Sequence, residues 1–210
     1  MDNYFYNLNE LPNSKTIKEM GRYAKLNKIP ILNDQGLALM IQLASLIKPK
    51  RFLEIGTAIA FTSVNMATFS DDVIVDTIEK SEEMYQLALK NVADAKLNGR
   101  VNIYLGDALE FDTSQINNRY DMIFIDAAKA QYIHFFEKYS PLLADEGVII
   151  SDNLLFHGLV TQEAPIENKN LKNLVEKIKA YNSWLAKNKK FQTIFLEIGD
   201  GMAISSRTKK

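Results

Sequence analysis

Acidic side chains recur at the points where the sequence predicts that buried strands end. They stand within or directly after five apolar runs, and they are Glu54, Glu79, Asp107, Asp126 and Asp152, with Asn153 beside the last. The carboxyl ends of parallel strands meet at one edge of a sheet, where such folds bind ligands. We therefore expect five carboxylates and one amide to gather at this edge. Left unpaired they would repel one another, so a cation or hydrogen-bond donors must offset them.

Three of these side chains have the chemistry of a metal site. Asp126, Asp152 and Asn153 offer hard oxygen ligands, and such a set, completed by water or substrate, suits Mg²⁺. Lys129 follows Asp126 by three residues, at a predicted helix start beside the same edge. Burial and a nearby cation would depress the pKa of its amine, so that it acts as a general base. The alternatives are two helix caps without a metal and a solvated lysine.

A turn of small residues follows the first predicted strand. Glu54 stands near the end of that strand, Gly56-Thr57-Ala58 form the turn, and Glu79 ends the next strand about twenty residues on. This layout is typical of an α/β nucleotide site in which the second acid holds ribose hydroxyls. The turn lacks the G-x-G-x-x-G pattern that cradles a pyrophosphate. The sequence therefore favours a nucleoside cofactor and argues against a nicotinamide dehydrogenase.

Alternating strands and helices must position these groups. The predicted strands are 51–55, 73–78, 101–105, 120–125 and 147–151, and the predicted helices between them are 60–69, 81–97 and 130–143. Runs 120–125 and 147–151 are continuously apolar, which is typical of parallel strands covered on both faces. A helix at 170–187 and a hairpin of 191–197 with 202–205 follow, and helices at 14–27 and 34–47 precede the sheet. We predict an α/β fold with a mainly parallel sheet closed by an antiparallel hairpin.

Composition limits the class of protein. The 210 residues are 47% hydrophobic and 24% charged, with a formal net charge of -1 and no cysteine, which excludes disulfides and thiolate chemistry. We predict one domain over 1–210, with 1–48 as an N-terminal helical extension. The start lacks the features of a signal peptide, and no apolar run is long enough to span a membrane. A cytoplasmic protein with no membrane partner is therefore the expectation.

The ordered set of motifs resembles a known family. It resembles the metal-dependent, S-adenosylmethionine-dependent O-methyltransferases that include the catechol and caffeoyl-CoA enzymes, and the resemblance covers nearly the whole chain. The matching segments are Leu53-Glu-Ile-Gly-Thr-Ala-Ile59, Thr77-Ile-Glu79, Gly106-Asp-Ala108, Phe124-Ile-Asp-Ala-Ala-Lys129 and Asp152-Asn-Leu-Leu-Phe-His-Gly-Leu-Val160. The resemblance implies a Rossmann-like class I methyltransferase fold with a seven-stranded sheet, S-adenosylmethionine and Mg²⁺ as cofactors, and a homodimer.

Within this family the chain is most similar to the bacterial tRNA 5-hydroxyuridine methyltransferases. The segments behind this narrower resemblance are Ile29-Pro-Ile31, Asn153-Leu-Leu-Phe-His-Gly-Leu-Val160, Tyr181-Asn-Ser-Trp184 and Gly199-Asp-Gly-Met-Ala-Ile-Ser205. The implied reaction converts 5-hydroxyuridine at the wobble position of tRNA into 5-methoxyuridine. A small catechol or a hydroxycinnamoyl thioester remains an alternative acceptor. A non-catalytic module that binds nucleoside or RNA is a second alternative, disfavoured by the complete acidic set.

The resemblance also implies roles for individual residues. Leu32 and Thr62 would line the methionine end of the cofactor above the Glu54–Gly56 turn, and Glu79 would hold the ribose. The adenine would contact Asp107 and Ala108; the metal would bind Asp126, Asp152 and Asn153; and Lys129 would deprotonate the acceptor. The chain departs from the family at Ala60-Phe61-Thr62, where Gly, Tyr and Ser are common, and we interpret this as tolerated variation.

Several other features carry weaker expectations. Cations in the first helical region either touch RNA phosphates or form a solvated face, and they are Lys15, Lys18, Arg22, Lys25 and Lys28. The same two interpretations apply to Lys187, Lys189 and Lys190 and to Arg207, Lys209 and Lys210. The second helix has apolar residues beyond the evident need of the core, and we predict that they are available for subunit contact. They are Leu37, Met40, Ile41 and Ala44. His157 and His134 are interpreted as non-catalytic, and 156–170 as a mobile lid.

Overall fold

A seven-stranded mixed sheet forms the centre of the protein in a computed structural model that describes residues 8–9, 11–12, 14–116, 118–162 and 164–208. The strands are β1 Arg51–Ile55, β2 Ile74–Glu79, β3 Val101–Leu105, β4 Tyr120–Ile125, β5 Leu143–Ser151, β6 Phe191–Leu196 and β7 Met202–Arg207. Their order across the sheet is β3-β2-β1-β4-β5-β7-β6. The first five strands run parallel, and β7 pairs antiparallel with both β5 and β6. The predicted parallel sheet with an antiparallel hairpin is confirmed.

Six α-helices cover the sheet in the described part of the chain. They are α1 Lys15–Asn27, α2 Asp34–Ile47, α3 Phe61–Phe69, α4 Glu82–Asp94, α5 Tyr132–Tyr139 and α6 Lys169–Ala186. Four of them begin at a side chain that accepts a hydrogen bond from a backbone N–H of the first turn, and these caps are Ser14, Asn33, Ser81 and Asn168. Such caps satisfy amide groups that the helix itself leaves free, so they fix where each helix starts.

The core has one apolar layer on each face of the sheet. Residues from α1, α2, α3 and α4 pack against one face, around Phe52, Val75 and Phe124. Residues from α5 and α6 pack against the other, around Leu53, Ile123 and Ile149. Neighbouring strand residues point to opposite faces, so a strand covered on both sides must be apolar throughout. This is why 120–125 reads as a continuous apolar run.

Three predicted elements have the wrong bounds. The helix predicted over 130–143 is a 3₁₀ turn Lys129–Gln131, then α5, then a 3₁₀ turn Ser140–Leu142, because Pro141 lacks the N–H that an α-helix would need there. The strand predicted to start at Gly147 starts at Leu143, and its exposed Asp145 and Glu146 hide it in the sequence. Helix α4 ends at Asp94, before the predicted Leu97.

The subunit surface predicted on α2 is also wrong in part. Leu37, Met40 and Ala44 are at most 1% exposed and pack in the core of the chain itself, so they offer nothing to a partner. The helix packs against α3, and its apolar side chains form part of the core on that face of the sheet. Parts of other predictions fall on residues 1–7, 10, 13, 117, 163, 209 and 210, including Lys209 and Lys210, which lie outside the described residues. The extent of the single domain stays a prediction.

Candidate active site

A tight turn after β1 packs against the backbone at the end of β4. Gly56 has φ of +99°, and a Cβ at this position would overlap the carbonyl oxygen of Asp126. Ala58 and Ala60 also have positive φ, at 46° and 62°. Left-handed backbone is costly for residues with a Cβ, and small side chains limit the crowding. Glycine is therefore required at position 56, and the small side chains of Ala58 and Ala60 limit crowding in the rest of the turn.

Glu54 lies beneath this turn and is buried. Its carboxyl group accepts hydrogen bonds from the hydroxyls of Ser63 and, at 2.9 Å, Thr77. Burial raises the pKa of Glu54 from 4.5 to about 8, and the two hydrogen bonds only partly oppose this effect. The side chain thus joins β1, β2 and the first turn of α3. Thr62, which was predicted to line the cofactor, lies in that same turn and is 5% exposed.

Glu79 at the end of β2 holds the turn from the other side. Its Oε2 accepts the backbone N–H of Ala58 at 2.8 Å, and its Oε1 accepts that of Ser81 at 2.8 Å. These bonds fix the carboxylate and leave each oxygen a further lone pair. The geometry is compatible with the predicted ribose role, which stays a prediction.

Asp107 and Ala108 follow β3 at the same edge. Oδ1 of Asp107 accepts the N–H of Leu109 at 2.9 Å, and Oδ2 pairs with Lys80 at 2.7 Å. The hydrogen bond from Lys80 holds the pKa of Asp107 below its usual range. Ala108 is 8% exposed and packs beside Phe111. Leu32, the remaining predicted cofactor contact, is 2% exposed and lies in the loop before α2, against Gly36.

Lys129 and Asp126 form an ion pair beyond the end of β4. The Lys129 Nζ donates to Oδ1 of Asp126 at 2.7 Å, and both side chains are about one-fifth exposed. The backbone N–H of Asp126 donates to the carbonyl of Ile55 at 3.0 Å, which ties this residue to the end of β1. The predicted base and a predicted metal ligand are therefore in contact.

Asp152 is the most buried of the three predicted metal ligands. It is 1% exposed, and its Oδ1 is buried without a hydrogen-bond partner. Burial and, to a smaller extent, the nearby charge of Asp126 raise the pKa of Asp152 to about 7. Its carbonyl oxygen accepts the hydroxyl of buried Tyr132 at 3.0 Å. Asn153 follows with φ of 60°, a conformation that asparagine adopts more readily than most residues.

The donor set at this edge fits Mg²⁺. The orphaned buried oxygen of Asp152 lies near the charge of Asp126, with Asn153 next to it in the chain, and a hard cation stabilises such a set of oxygen ligands. No group of three or more His, Cys, Asp and Glu side chains placed for a metal occurs among the described residues. A cation here would therefore bind two carboxylates and one amide and retain water or substrate oxygens, as Mg²⁺ commonly does.

Sequence reasoning missed Asp200, in the turn between β6 and β7. Its Oδ1 accepts the backbone N–H of His157 at 2.6 Å, and its charge also raises the pKa of Asp152. The turn was predicted from Gly199 and Gly201, but nothing in the pattern indicated that its acid returns to the cluster. The side chain of His157 is 79% exposed and its Nδ1 lies 3.7 Å from Oδ2 of Asp200, and the non-catalytic interpretation of this residue stays a prediction. Whether 156–170 moves as a lid stays a prediction.

Comparison with known proteins identifies the family. A sequence model of the family described as O-methyltransferase matches residues 6–208. A Staphylococcus aureus protein, provisionally named a caffeoyl-CoA O-methyltransferase, is 42% identical, with a TM-score of 0.92 and 98% of each chain covered. The O-methyltransferase from Bacillus cereus, solved in complex with SAH, is 26% identical with a TM-score of 0.79, covering 94% of this chain and 92% of that chain.

Curated relatives agree with these structures. The caffeoyl-CoA O-methyltransferase of Populus kitakamiensis is 27% identical over 192 residues, which cover 89% of this chain and 81% of the relative. The match to the S. aureus structure confirms the predicted Rossmann-like class I methyltransferase fold. No helix in the described part of the chain combines the length and apolar character needed to cross a bilayer. The chain belongs to the O-methyltransferase family, and it is an S-adenosylmethionine-dependent O-methyltransferase.

Proposed function

We propose that this enzyme methylates the 5-hydroxyl of 5-hydroxyuridine at the wobble position of tRNA, in a reaction that depends on Mg²⁺. The observation that carries the chemistry is the buried Oδ1 of Asp152, which has no partner and lies beside the carboxylate of Asp126. Asp126 is partly exposed and paired with Lys129, so the buried carboxyl group of Asp152 beside it is stable only when a proton or a further cation offsets its charge. A metal-assisted deprotonation of a hydroxyl is the reaction that such a site suits.

The turn, the two strand-end acids and the β3 end are assigned to the cofactor. Gly56 lets the turn pack against the backbone of Asp126, Glu79 holds the ribose hydroxyls, and Asp107 with Ala108 contacts the adenine. Leu32 and Thr62 line the methionine end. S-adenosylmethionine, when bound, supplies a sulfonium methyl group. The fixed positions of these residues align that end of the site with the metal cluster, and much of the rate comes from such positioning.

Asp126, Asp152 and Asn153 are assigned to Mg²⁺, and Lys129 to the proton. A bound Mg²⁺ stabilises an oxyanion and so lowers the pKa of the acceptor hydroxyl. Lys129 takes that proton at Nζ, which requires its ion pair with Asp126 to loosen when the metal engages the carboxylate. Tyr132 holds the backbone of Asp152 through its hydroxyl, and the backbone N–H of Asn153 donates to the Asp152 carboxyl group.

The acceptor must offer two neighbouring oxygens. In 5-hydroxyuracil the 5-hydroxyl stands beside the carbonyl at position 4, and this pair can chelate one cation. The segments that resemble tRNA methyltransferases support RNA as the carrier of this base, and so does a row of unpaired cations on α1. The segments include Gly199–Ser205, whose Asp200 lies beside the metal cluster.

A small catechol or a hydroxycinnamoyl-CoA thioester is the second candidate acceptor. The names of the S. aureus and Populus kitakamiensis relatives favour it, since both refer to caffeoyl-CoA. A catechol presents the same pair of vicinal oxygens, so the same cluster would act on it by the same chemistry. A homodimer remains our proposal as well, and the exposed Ile194 and Phe195 on edge strand β6 are a more suitable contact than the buried face of α2.

Methyl transfer to two acceptors in parallel tests this proposal. Labelled S-adenosylmethionine and Mg²⁺ are supplied with either tRNA that carries 5-hydroxyuridine or a simple catechol. Strong labelling of the tRNA, lost in Asp126→Ala, supports the wobble base as substrate. Labelling of catechol alone contradicts the RNA substrate and retains the metal-dependent chemistry. Labelling of neither, by a protein that binds the cofactor, contradicts both acceptors.

A further inference from the structure

The outer face of α1 carries a row of cations that no part of the reaction uses. We propose that this face is a docking surface for the phosphate backbone of RNA, with Lys18, Arg22 and Lys25 as the phosphate contacts. We call these three residues the α1 stripe. The inference rests on the proposed function, because it places part of the tRNA substrate on the protein.

Helical spacing puts the three residues of the stripe on one side of α1. They are separated by four and then three residues, which is the spacing of neighbours along one helix face. All three are exposed, whereas Ile17, Met20 and Ala24 on the opposite side are at most 5% exposed and pack on the core. The stripe therefore has a fixed orientation, because the buried side anchors the helix and α1 cannot rotate about its axis.

The charge of this region differs from that of the rest of the chain. Residues 15–28 contain five Lys and Arg residues and one Glu, while the whole chain holds 25 Lys and Arg against 26 Asp and Glu. The excess of acids therefore lies outside α1. Glu19 pairs only with Lys15, at 3.8 Å and with both side chains largely exposed. No salt bridge found among the described residues involves Lys18, Arg22 or Lys25, so their charges are available to a partner.

The position of α1 connects the stripe with the active-site edge. The helix packs on α3, where Gly21 faces the ring of Phe61 in the first turn after the cofactor turn. Beyond its last residues the chain passes through Leu32 to Asn33, which lies against Gly199 in the β6–β7 turn. That turn also carries Asp200 beside the metal cluster. A nucleotide chain with its modified base in the site can thus extend along α1.

The dimensions favour a polymer over a single pyrophosphate. At 1.5 Å per residue, the stripe with Lys15 extends over about 15 Å of helix axis. Several phosphates of a nucleic acid fit this length, whereas one CoA pyrophosphate would meet one or two of the cations. Tyr23 and Leu26 flank the stripe and are 43% and 77% exposed. An exposed aromatic ring beside cations is a common platform for unpaired bases.

A matched pair of triple variants tests the proposal. One variant is Lys18→Gln, Arg22→Gln and Lys25→Gln; the control is Lys187→Gln, Lys189→Gln and Lys190→Gln, which removes the same charge from exposed residues before β6. The start of β6 pairs with Arg207, at the sheet edge opposite the metal cluster. For both variants we would measure KM and kcat with tRNA carrying 5-hydroxyuridine over a range of salt concentrations, KM with hydroxycinnamoyl-CoA, and kcat with catechol.

The α1 variant should raise KM for tRNA about tenfold or more at physiological salt. The slope of log affinity against log salt should fall by about 2, because three phosphate contacts are lost at roughly 0.7 each for single-stranded RNA. Activity with catechol should stay within twofold of wild type, which shows that the fold and the chemistry are intact. The control variant should keep the wild-type KM and salt slope for tRNA.

Four results would overturn the proposal. If wild type methylates the tRNA and the α1 variant keeps the wild-type KM and salt slope, the docking surface is rejected and the proposed substrate is retained. Equal losses in both triple variants show that only net charge matters. A raised KM for hydroxycinnamoyl-CoA with an unchanged KM for tRNA assigns the stripe to CoA phosphates. A wild-type enzyme that methylates catechol and no tRNA rejects the proposed substrate together with the docking surface.

Discussion

Lys129 and Asp126 are joined by a 2.7 Å ion pair at the point where β4 ends. The contact places the only predicted base against one of the two predicted metal carboxylates. While this pair is intact, the carboxylate of Asp126 holds the amine and keeps it from an acceptor hydroxyl. Mg²⁺ at Asp126 would weaken the pair and release the lysine, and metal binding would therefore also activate the base.

Replacing Lys129 separates its charge from its basicity. Lys129→Gln and Lys129→Arg should both lower kcat by at least tenfold, because neither side chain can take up a proton near neutral pH. KM for S-adenosylmethionine should change little. The pH profile of kcat should lose its rising limb in both variants, and Lys172→Gln on the exposed side of α6 should behave as wild type. Full activity in Lys129→Arg would show that the residue supplies charge and not a base.

Glu54 makes stability depend on pH. Its pKa in the folded protein is about 8, above its ordinary value of 4.5, so the fold retains a proton that the unfolded chain releases in this window. The free energy of unfolding should therefore fall as the pH rises from 4.5 to 8, by roughly 1 kcal/mol per pH unit. Glu54→Gln cannot lose a proton and should remove the part of this dependence that Glu54 contributes, while Asp152, whose pKa is raised to about 7, leaves a smaller slope of the same sign.

Urea unfolding at pH 5 and pH 8, without cofactor and with chelator, measures the effect of Glu54. Wild type should lose stability between the two values, while Glu54→Gln should lose much less and be the more stable protein at pH 8. Glu83→Gln, on the exposed first turn of α4, serves as the control and should follow wild type. A slope that is equal in Glu54→Gln and wild type would mean that Glu54 is ionised in the fold.

Ala60 has a left-handed backbone conformation that is unfavourable for alanine. The glycine that is common at this position in the family adopts it without strain. Ala60 has φ of 62° at the start of α3 and is fully buried. Glycine relieves about 1–2 kcal/mol of left-handed strain but loses a buried methyl group and gains freedom in the unfolded chain. Ala60→Gly should therefore change stability by less than about 0.5 kcal/mol, since the gain and the losses nearly cancel.

Ala67 in the middle of α3 is the matched control for Ala60. It is equally buried but helical, so Ala67→Gly should cost about 2 kcal/mol from helix propensity and the lost methyl group. The midpoints of urea unfolding for the two variants measure the difference directly. Equal losses would indicate that the left-handed conformation of Ala60 carries no strain.

The sequence predicted the strands of this protein well because their chemistry is local. Apolar runs such as 120–125 and the turn at Gly56 follow from burial on both faces and from close backbone approach, and both are visible in the residue types. The sequence also predicted that the carboxylates need a cation or hydrogen-bond donors, but it did not identify the residues that donate. Ser63 and Thr77 meet Glu54 only through the packing of α3 and β2, and no local pattern encodes that contact.

The errors have similar causes. Helix α2 has more apolar residues than the core evidently needs, and this led to the prediction of a face open to a second subunit. In the structure α3 and the sheet cover that face. Strand β5 was shortened because Asp145 and Glu146 interrupt the apolar run, although both point to solvent. Asp200 was missed because a hairpin turn between glycines is usually only a turn. Its place beside Asp152 depends on the register of β7 with β5.

Dependence of methyl transfer on Mg²⁺ tests the central claim most directly. Activity would be measured after treatment with chelator and during readdition of Mg²⁺, for wild type, Asp152→Asn and the control Asp145→Asn on the exposed part of β5. We predict that chelator abolishes the activity of wild type and Asp145→Asn, that Mg²⁺ restores it, and that Asp152→Asn stays at least a hundredfold lower while still binding S-adenosylmethionine. Full activity in chelator, or an active Asp152→Asn with unchanged Mg²⁺ dependence, would contradict the account.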